Sequence, residues 1–206
     1  MTTASLSPDV KTRKDRMGYW RDHQGKSLLV TPLVSEEMLA RFYMKLKADN
    51  LLDIVWSEAP VTLSWFLTHY QRDQICTLAA MKEDPETKTM EIQGLGWIVN
   101  TQVIGNTFQR SEVGIAYLRG ARPDETLIFS SLMVDYCFES MGTLSLYTTS
   151  PAPNVASIRH AKAVGFEMFG PLAAFTTWVN KKTGQREPCG AYIGVISREL
   201  WEANRS

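Results

Sequence analysis

The spacing of apolar residues predicts two amphipathic helices in the first third of the chain. Ser35 is a favourable N-cap, and the acids at positions 36 and 37 suit a first helical turn, where the helix dipole favours negative charge. Apolar residues then recur at helical spacing to about Ala48. Pro60 is predicted to open a second helix, because an apolar stripe follows it at Leu63, Phe66, Leu67 and Tyr70.

Short apolar runs and alternating apolar and polar positions predict four strands before residue 118. Residues 28–34 form the first, in which Pro32 requires a sheet edge or a kink. Residues 75–81 form the second and are followed by a polar turn. The alternation of the third strand changes phase beside Gly94, which predicts a β-bulge. Residues 113–117 alternate again as the fourth strand.

The second half of the chain predicts two more helices and three more strands. The helix that begins at Pro123 is apolar on most sides to about residue 141, so it must be covered on more than one face. Asn154 caps the last helix, which ends before Gly165. Strands at 144–149, 175–179 and 192–196 complete the order β-α-α-β-β-β-α-β-α-β-β, a mixed sheet with helices on its faces.

Composition narrows the class of protein and its partners. At 206 residues, with 44% hydrophobic and 21% charged residues, the chain fits one globular α/β domain. The formal net charge is zero, so neither nucleic acid nor a membrane is an expected partner. No apolar run approaches the roughly 20 residues of a membrane-spanning helix. Three isolated cysteines and three scattered histidines predict reduced thiols, a cytoplasmic location and no metal site.

The first 27 residues are predicted to be a polar N-terminal arm that precedes a single domain at 28–206. Basic residues outnumber acids in this segment. A solvated, partly flexible arm is the preferred interpretation, and a basic binding arm is the alternative.

Three segments in register carry a resemblance to a known family: residues 111–117, 135–142 and 154–166. The third matches the pattern N-x-x-S-x-R-x-x-x-x-x-G-F without a gap, at Asn154, Ser157, Arg159, Gly165 and Phe166. Over about residues 111–170 the chain resembles the GNAT superfamily, and most closely its ribosomal-protein N-terminal acetyltransferase branch. The resemblance implies a GNAT fold: a mixed, mostly antiparallel sheet of six to seven strands, helices on both faces, and a splay between the fourth and fifth strands.

The same resemblance implies acetyl-CoA as co-substrate. In this fold the pantetheine arm adds to the exposed edge of the fourth strand, which maps to the backbone of Ala116, Tyr117 and Leu118. Asn154 matches an asparagine that bonds the cofactor arm, with a plain N-cap as the alternative role.

The diphosphate of the cofactor is expected at the N-terminus of the next helix, in contact with Arg119, Gly120 and Arg122. The loop departs from the family pattern, because its second glycine is missing and Pro123 lacks an N–H. Acids at positions 124 and 125 also occupy the first turn. At roughly 4 Å and an effective dielectric near 20, each would cost about 4 kcal/mol against a diphosphate before screening. The loop is therefore expected to oppose ordinary CoA binding, with the two arginines offsetting part of the repulsion.

Candidate catalytic groups follow from the same alignment. Glu112 matches a glutamate that deprotonates the amine through water, and a surface glutamate is the alternative. Tyr147 is a candidate proton donor to the leaving thiolate, and a packing role is the alternative. Many relatives carry a tyrosine where this chain has Ala161. His160 is flanked by basic residues and is expected to face solvent.

The leading hypothesis is an enzyme that transfers acetyl from acetyl-CoA directly to a primary amine of a small molecule or protein N-terminus. Its acceptor site would lie between the first two helices and the last hairpin, lined by Trp56, Trp65, Trp97 and Trp178. The alternative is a catalytically inactive GNAT-fold binding or structural protein, like some encoded by bacteriophages, with an exposed apolar patch and no cofactor cleft. A different acyl carrier is a third hypothesis, and a homodimer is left open.

Overall fold

The computed structural model describes residues 12–55, 61–70, 76–104, 107–180 and 182–205. Its strands are β1 (Arg13–Asp15), β2 (Gly18–His23), β3 (Lys26–Thr31), β4 (Cys76–Glu83), β5 (Met90–Ile104), β6 (Thr107–Tyr117), β7 (Ser145–Pro151), β8 (Glu167–Val179) and β9 (Arg186–Ser197). Its helices are α1 (Glu36–Ala48), α2 (Leu52–Val55), α3 (Leu63–Tyr70), α4 (Pro123–Glu139), α5 (Val155–Val164) and α6 (Arg198–Ala203).

All nine described strands form one sheet in the order β1-β2-β3-β4-β5-β6-β7-β9-β8. Neighbouring strands are antiparallel except β6 and β7, which are parallel. The mixed, mostly antiparallel sheet is therefore confirmed, but it has more strands than the six to seven expected. The added strands, β1 and β2, lie at one edge and extend the sheet from β3.

The predicted N-terminal arm ends earlier than residue 27, because residues 13–27 belong to the sheet. Tyr19 on β2 is 5% exposed and its hydroxyl lies 2.7 Å from that of Ser140, beyond α4. The indole of Trp20 donates to Asp15, which joins β2 to β1. Here the alternation of side chains decides the structure, and basic residues such as Arg21 and Lys26 are half-buried among the strands. Residues 1–11 of the predicted arm lie outside the described residues.

Two apolar layers cover the sheet, one on each face. On one face α4, α5 and α6 pack over β3, β6 and β7, and the largest buried side chains of this layer are Phe129, Leu132 and Phe138. On the other face α1 and α3 contribute Phe42, Leu46 and Phe66. Because each such side chain gains roughly 1.5–3 kcal/mol on full burial, both layers stabilise the sheet. Helices on both faces are confirmed, and α4 is apolar on several sides because β2, β3 and α5 all contact it.

The sheet separates between β6 and β7, as the resemblance implied for the fourth and fifth predicted strands. The two strands pair at three positions, from Arg110 opposite Ser145 to Glu112 opposite Tyr147. Beyond that last pair, β6 continues against β5 to Tyr117, while β7 continues against β9. A wedge therefore opens between the diverging strands.

Local signals in the sequence account for the ends of the helices. The side chains of Ser35 and Asn154 cap α1 and α5, and Gly165 ends α5 with a φ of 112°. Ala80 pairs with Gly94 while Met81 pairs with Ile92, which is the predicted bulge. The short helices α2 and α6 were not predicted, and β8 and β9 are longer than predicted. None of the described helices has the length and apolar character needed to cross a membrane.

Candidate functional site

The wedge between β6 and β7 forms a cleft that is closed on one side by α4 and α5. It contains a cavity of about 60 Å³, lined by Val113, Gly114, Ile115, Ser130, Met133, Val134, Thr148, Ser157, His160, Ala161, Val164 and Phe166. Pockets that enclose a whole small molecule usually measure roughly 300–1,000 Å³. The cavity alone is therefore too small to enclose a whole small molecule.

The edge of β6 offers backbone groups to this cleft. From Val113 to Tyr117, β6 has a partner strand on its β5 side and none on its β7 side in the described part of the chain. The N–H of Leu118 donates to Gln93 on β5, and alternation turns the backbone of Ala116 the same way. Of the three residues predicted to contact the pantetheine arm, Tyr117 is thus the one whose backbone groups face the open side.

The N-terminus of α4 lies at the open end of β6 and lacks a side-chain cap. Arg122 is the N-cap residue, its side chain does not cap the helix, and Pro123 is the first helical residue. Within the described residues, no acceptor is found for the backbone N–H of Gly120, Arg122 or Asp124. Uncapped N–H groups and the positive end of the helix dipole favour an anion at this position. Pro123 has no backbone N–H to donate, so these three N–H groups are the donors that remain at the start of α4.

The two acids of the first turn do not stand there as bare charges, because each has cationic or hydrogen-bonding partners, while the repulsion of a diphosphate stays a prediction. Glu125 is 1% exposed, and its carboxylate lies 3.0 Å from the Lys82 ammonium and 3.8 Å from that of Lys26. Asp124 lies 2.8 Å from the His23 ring and 2.7 Å from the Arg122 guanidinium. Each acid is thus neutralised by cations or donors on β2, β3, β4 or the loop itself.

These contacts also set the protonation state of Asp124. The hydrogen bond from His23, followed by the one from Arg122, lowers the pKa of Asp124 to about 2. The carboxylate is therefore ionised at neutral pH and holds Arg122 at the helix N-terminus. Arg122 also donates to Gln24 on the turn between β2 and β3.

Arg119 belongs to the same loop, and its side chain contacts the end of α1. Its guanidinium donates to the backbone oxygen of Asp49, the C-cap residue of α1, at 3.2 Å. Gly120 beside it has open space where a Cβ would lie. The predicted residues Arg119, Gly120 and Arg122 thus lie in the loop before α4, but the guanidinium of Arg119 is bonded to the α1 C-cap while that of Arg122 is bonded to Asp124 and Gln24.

The two predicted catalytic residues are neighbours across the sheet. Glu112 and Tyr147 face each other in the last β6–β7 pair, where the strands begin to diverge. Alternation places both side chains on the α1 and α3 face, since Val113 and Leu146 next to them belong to the opposite layer. On that face Trp97 covers Gly114 so closely that a Cβ there would lie 2.3 Å from the indole.

His160 does not face solvent, which corrects the prediction made from its basic neighbours. It is half-buried, lines the cavity, and places Nε2 2.7 Å from the hydroxyl of Ser130 on α4. Burial lowers the pKa of His160. Its edge also contacts the ring of Tyr117, at 5.9 Å between ring centroids.

The sequence did contain a signal that His160 lies on the covered face of α5, but its basic neighbours were given more weight. Ser157, His160, Ala161 and Val164 follow the i, i+3, i+4, i+7 spacing of one helical face, and all four line the cavity. The same face carries Asn154 at its start, where its side chain accepts from the Ser157 N–H. The N-cap role of Asn154 is thus observed.

The tryptophans predicted to line an acceptor site are spread over several elements. Trp97 lies on the α1 and α3 face beside the wedge, 5.8 Å from the ring of Tyr70. Trp65 on α3 is 42% exposed and stacks on His69. Trp178 lies on β8, which contacts α2. Trp56 lies outside the described residues.

Comparison with known proteins places this geometry in context. No protein-family model and no curated protein matches the chain. A spermidine N-acetyltransferase from Vibrio cholerae, solved with CoA and spermine, is similar at 16% identity and a TM-score of 0.64, over 85% of this chain and 98% of that one. A ribosomal-protein-S5-alanine acetyltransferase from Vibrio fischeri is similar at 10% identity and a TM-score of 0.62, over 88% and 98%. The aminoglycoside acetyltransferase AAC(6')-Ib, solved with coenzyme A and kanamycin, is similar at 16% and 0.61, over 87% and 99%.

At these identities the likeness is one of fold. The chain has the GNAT fold, as the sequence resemblance implied, and a GNAT-family acetyltransferase from Bacillus anthracis is also among the similar structures.

Proposed function

We propose that this protein is an N-acetyltransferase that uses acetyl-CoA as co-substrate. One observation carries the proposal: β6 and β7 diverge after Glu112 and Tyr147, and the uncapped N-terminus of α4 stands at the open end. Arg119, Arg122 and three free N–H groups suit a diphosphate, and the unpaired edge of β6 suits an amide-bearing arm. The fit to coenzyme A thus rests on the donors that the chain presents.

Acetyl-CoA would supply the acetyl group and depart as the free thiol. On the chain's side, Glu112 takes one proton from the attacking amine through a water molecule, a role supported by its place in the last β6–β7 pair before the strands diverge. Tyr147, opposite it, gives its phenolic proton to the departing sulfur and regains one from solvent. The net change is amine plus thioester to amide plus thiol, which balances in atoms and charge.

A primary amine is the acceptor class that suits the site. The similar structures include enzymes named for spermidine, for an aminoglycoside and for an alanine of a ribosomal protein. In this chain the acceptor would approach on the α1 and α3 face, where Glu112, Trp97 and Tyr70 are arranged next to the wedge. A carboxylate and aromatic faces both favour a cationic amine.

The test is a thiol-release assay of the full chain with acetyl-CoA and a panel of polyamines, aminoglycosides and short peptides. We expect turnover with at least one amine, and a loss of about 10²-fold or more in kcat for Glu112→Gln. The matched control is Glu91→Gln, an exposed glutamate on the neighbouring strand β5, which should leave kcat unchanged. Absence of thiol release with every amine, in a chain shown to bind acetyl-CoA, would contradict the acetyltransferase proposal.

A second candidate is a GNAT-fold binding protein without catalysis. Two observations favour it: the small cavity, and an exposed apolar row on edge strand β8 formed by Phe169, Leu172 and Phe175, at 55%, 44% and 53% exposure. Such rows commonly mark interaction surfaces. If this candidate is correct, the full chain will neither bind acetyl-CoA nor release thiol. The double variant Phe169→Ser with Phe175→Ser will then differ from wild type in the molecular mass that light scattering measures.

A further inference from the structure

Four groups beside the cleft form one chain of hydrogen bonds whose direction can be worked out. The hydroxyl of Tyr117 lies 2.8 Å from the backbone oxygen of Thr126 and 2.7 Å from the hydroxyl of Ser130. The hydroxyl of Ser130 in turn lies 2.7 Å from Nε2 of His160. A carbonyl oxygen can only accept, so the single proton of Tyr117 is donated to Thr126.

The remaining donors follow from that assignment. Since the proton of Tyr117 is committed, Ser130 must donate to Tyr117, and His160 must donate to Ser130 from Nε2. Ser130 is therefore no nucleophile with His160 as its base, because its proton points the other way. The neutral ring of His160 carries its proton on Nε2 and its lone pair on Nδ1.

In the described part of the chain, Nδ1 of His160 is an acceptor without a partner. Among the described residues, no hydrogen bond to this atom is found. The cavity lining contains no ionisable group besides His160, and Tyr117 is the ionisable side chain in contact with the ring. Arg159 and Lys162, its neighbours on α5, are exposed. Because burial lowers the pKa of His160 and no charge opposes this, the ring is neutral near pH 7.

We infer that His160 binds the arm of the co-substrate in the cleft, accepting an amide N–H of pantetheine at Nδ1. This inference rests on the proposed function. The pantetheine arm carries two amide groups, and a buried amide N–H that finds no acceptor weakens binding. The edge of β6 supplies acceptors from one side of the cleft, and His160 on α5 supplies one from the other. The bond to Ser130 fixes the tautomer that makes this possible.

The inference has a consequence for pH dependence. A protonated imidazole donates from both nitrogens, so it cannot accept the amide N–H. Co-substrate affinity should therefore fall as the pH drops below about 6.5, the ordinary pKa of histidine, toward the lowered value. The same loss should disappear when position 160 carries an acceptor that does not titrate.

The experiment is calorimetric titration of coenzyme A into the full chain between about pH 8 and pH 5.5, for wild type, His160→Gln and His160→Phe. For wild type we expect a dissociation constant that rises toward acid after correction by the glutamine variant, which shares every other titration. The rise by about pH 5.5 should be smaller than the roughly tenfold that an unshifted histidine pKa of about 6.5 would give. Glutamine offers a carbonyl acceptor and should bind at about pH 8 within roughly threefold of wild type. Phenylalanine should bind about tenfold more weakly, with the shallower pH dependence of the glutamine variant.

Outcomes separate this inference from the function on which it rests. Equal affinity and equal pH dependence in all three proteins would overturn the role of His160 and leave the acetyltransferase proposal intact. Absence of binding by wild type up to about 1 mM would overturn both. Nitrogen-15 shifts of the His160 ring in the unliganded protein should show the Nε2–H form, and the Nδ1–H form would overturn the hydrogen-bond order directly. Thermal unfolding of each variant verifies that it is folded.

Discussion

Replacing Glu125 by glutamine tests whether the buried acid at the start of α4 serves the fold. Its carboxylate, 1% exposed, lies 3.0 Å from Lys82 and 3.8 Å from Lys26, whose side chains are 18% and 30% exposed. Removing one partner from a buried pair usually costs about 3–5 kcal/mol, because the other charge is left without compensation. Glutamine keeps one hydrogen bond and the two lysines keep some water, so we expect a loss of about 2–3 kcal/mol in the free energy of unfolding.

Urea unfolding followed by far-ultraviolet circular dichroism measures this loss. With an m-value of about 2.5 kcal/mol per M, the midpoint of Glu125→Gln should fall by about 1 M relative to wild type. The matched control is Glu91→Gln, an exposed glutamate, whose midpoint should stay within about 0.2 M. The double variant Glu125→Leu with Lys82→Met should recover part of the stability, because an apolar pair replaces the ions.

The result that would refute this reasoning is a midpoint for Glu125→Gln equal to that of the exposed control. In that case the carboxylate would not be engaged by the lysines, and it would stand as a bare charge at the α4 N-terminus. The carboxylate would then add to the repulsion of a diphosphate that the sequence predicts. Coenzyme A affinity of Glu125→Gln, measured at a temperature where the variant is folded, should otherwise equal that of wild type.

Three further predictions address the strands, a helix cap and acid stability. Gly114→Ala should lower stability by about 1–3 kcal/mol in urea unfolding, because its Cβ would lie 2.3 Å from the Trp97 indole and the ring must move. Asn154→Ala should cost about 1 kcal/mol in the same assay, since it removes the α5 cap. The folded-state pKa of Asp124, about 2, lies below its unfolded value. Its stabilisation is therefore present above about pH 4 and lost as the pH falls toward 2, a slope that Asp124→Asn should reduce in acid titrations.

Features fixed by a few adjacent residues were predictable from the sequence. Ser35, Asn154 and Gly165 were recognised as helix ends because caps depend on chemistry within one turn. The bulge beside Gly94 followed from a change of phase within one strand.

Features that depend on distant partners were not predictable in this way. From the sequence alone Glu125 is expected to be an exposed acid, whereas in the structure lysines on β3 and β4 lie beside it. From the sequence alone His160 is expected to be a surface residue, whereas in the structure it is hydrogen-bonded to Ser130 on α4. The basic residues before position 27 concealed the alternation of Tyr19, whose buried environment comes from the far end of α4. In each case the neighbour that decides the environment is more than 25 residues away in sequence, so periodicity carries no trace of it.

The wedge itself came from the resemblance and not from periodicity. Alternation identifies β6 and β7 as strands, but it carries no information on which strands pair or where pairing ends. Three parallel residue pairs join β6 to β7, the last of them Glu112 opposite Tyr147. They were found only in the structure.

The measurement that tests the account most directly is calorimetric titration of the full chain with acetyl-CoA, alongside Arg119→Ala and Arg122→Ala. The account predicts a dissociation constant in about the micromolar range, weakened about tenfold by either substitution, because both arginines belong to the loop that leads into the uncapped start of α4. No binding by wild type at about 1 mM acetyl-CoA would contradict it, and the wedge between β6 and β7 would then be a feature of the fold alone.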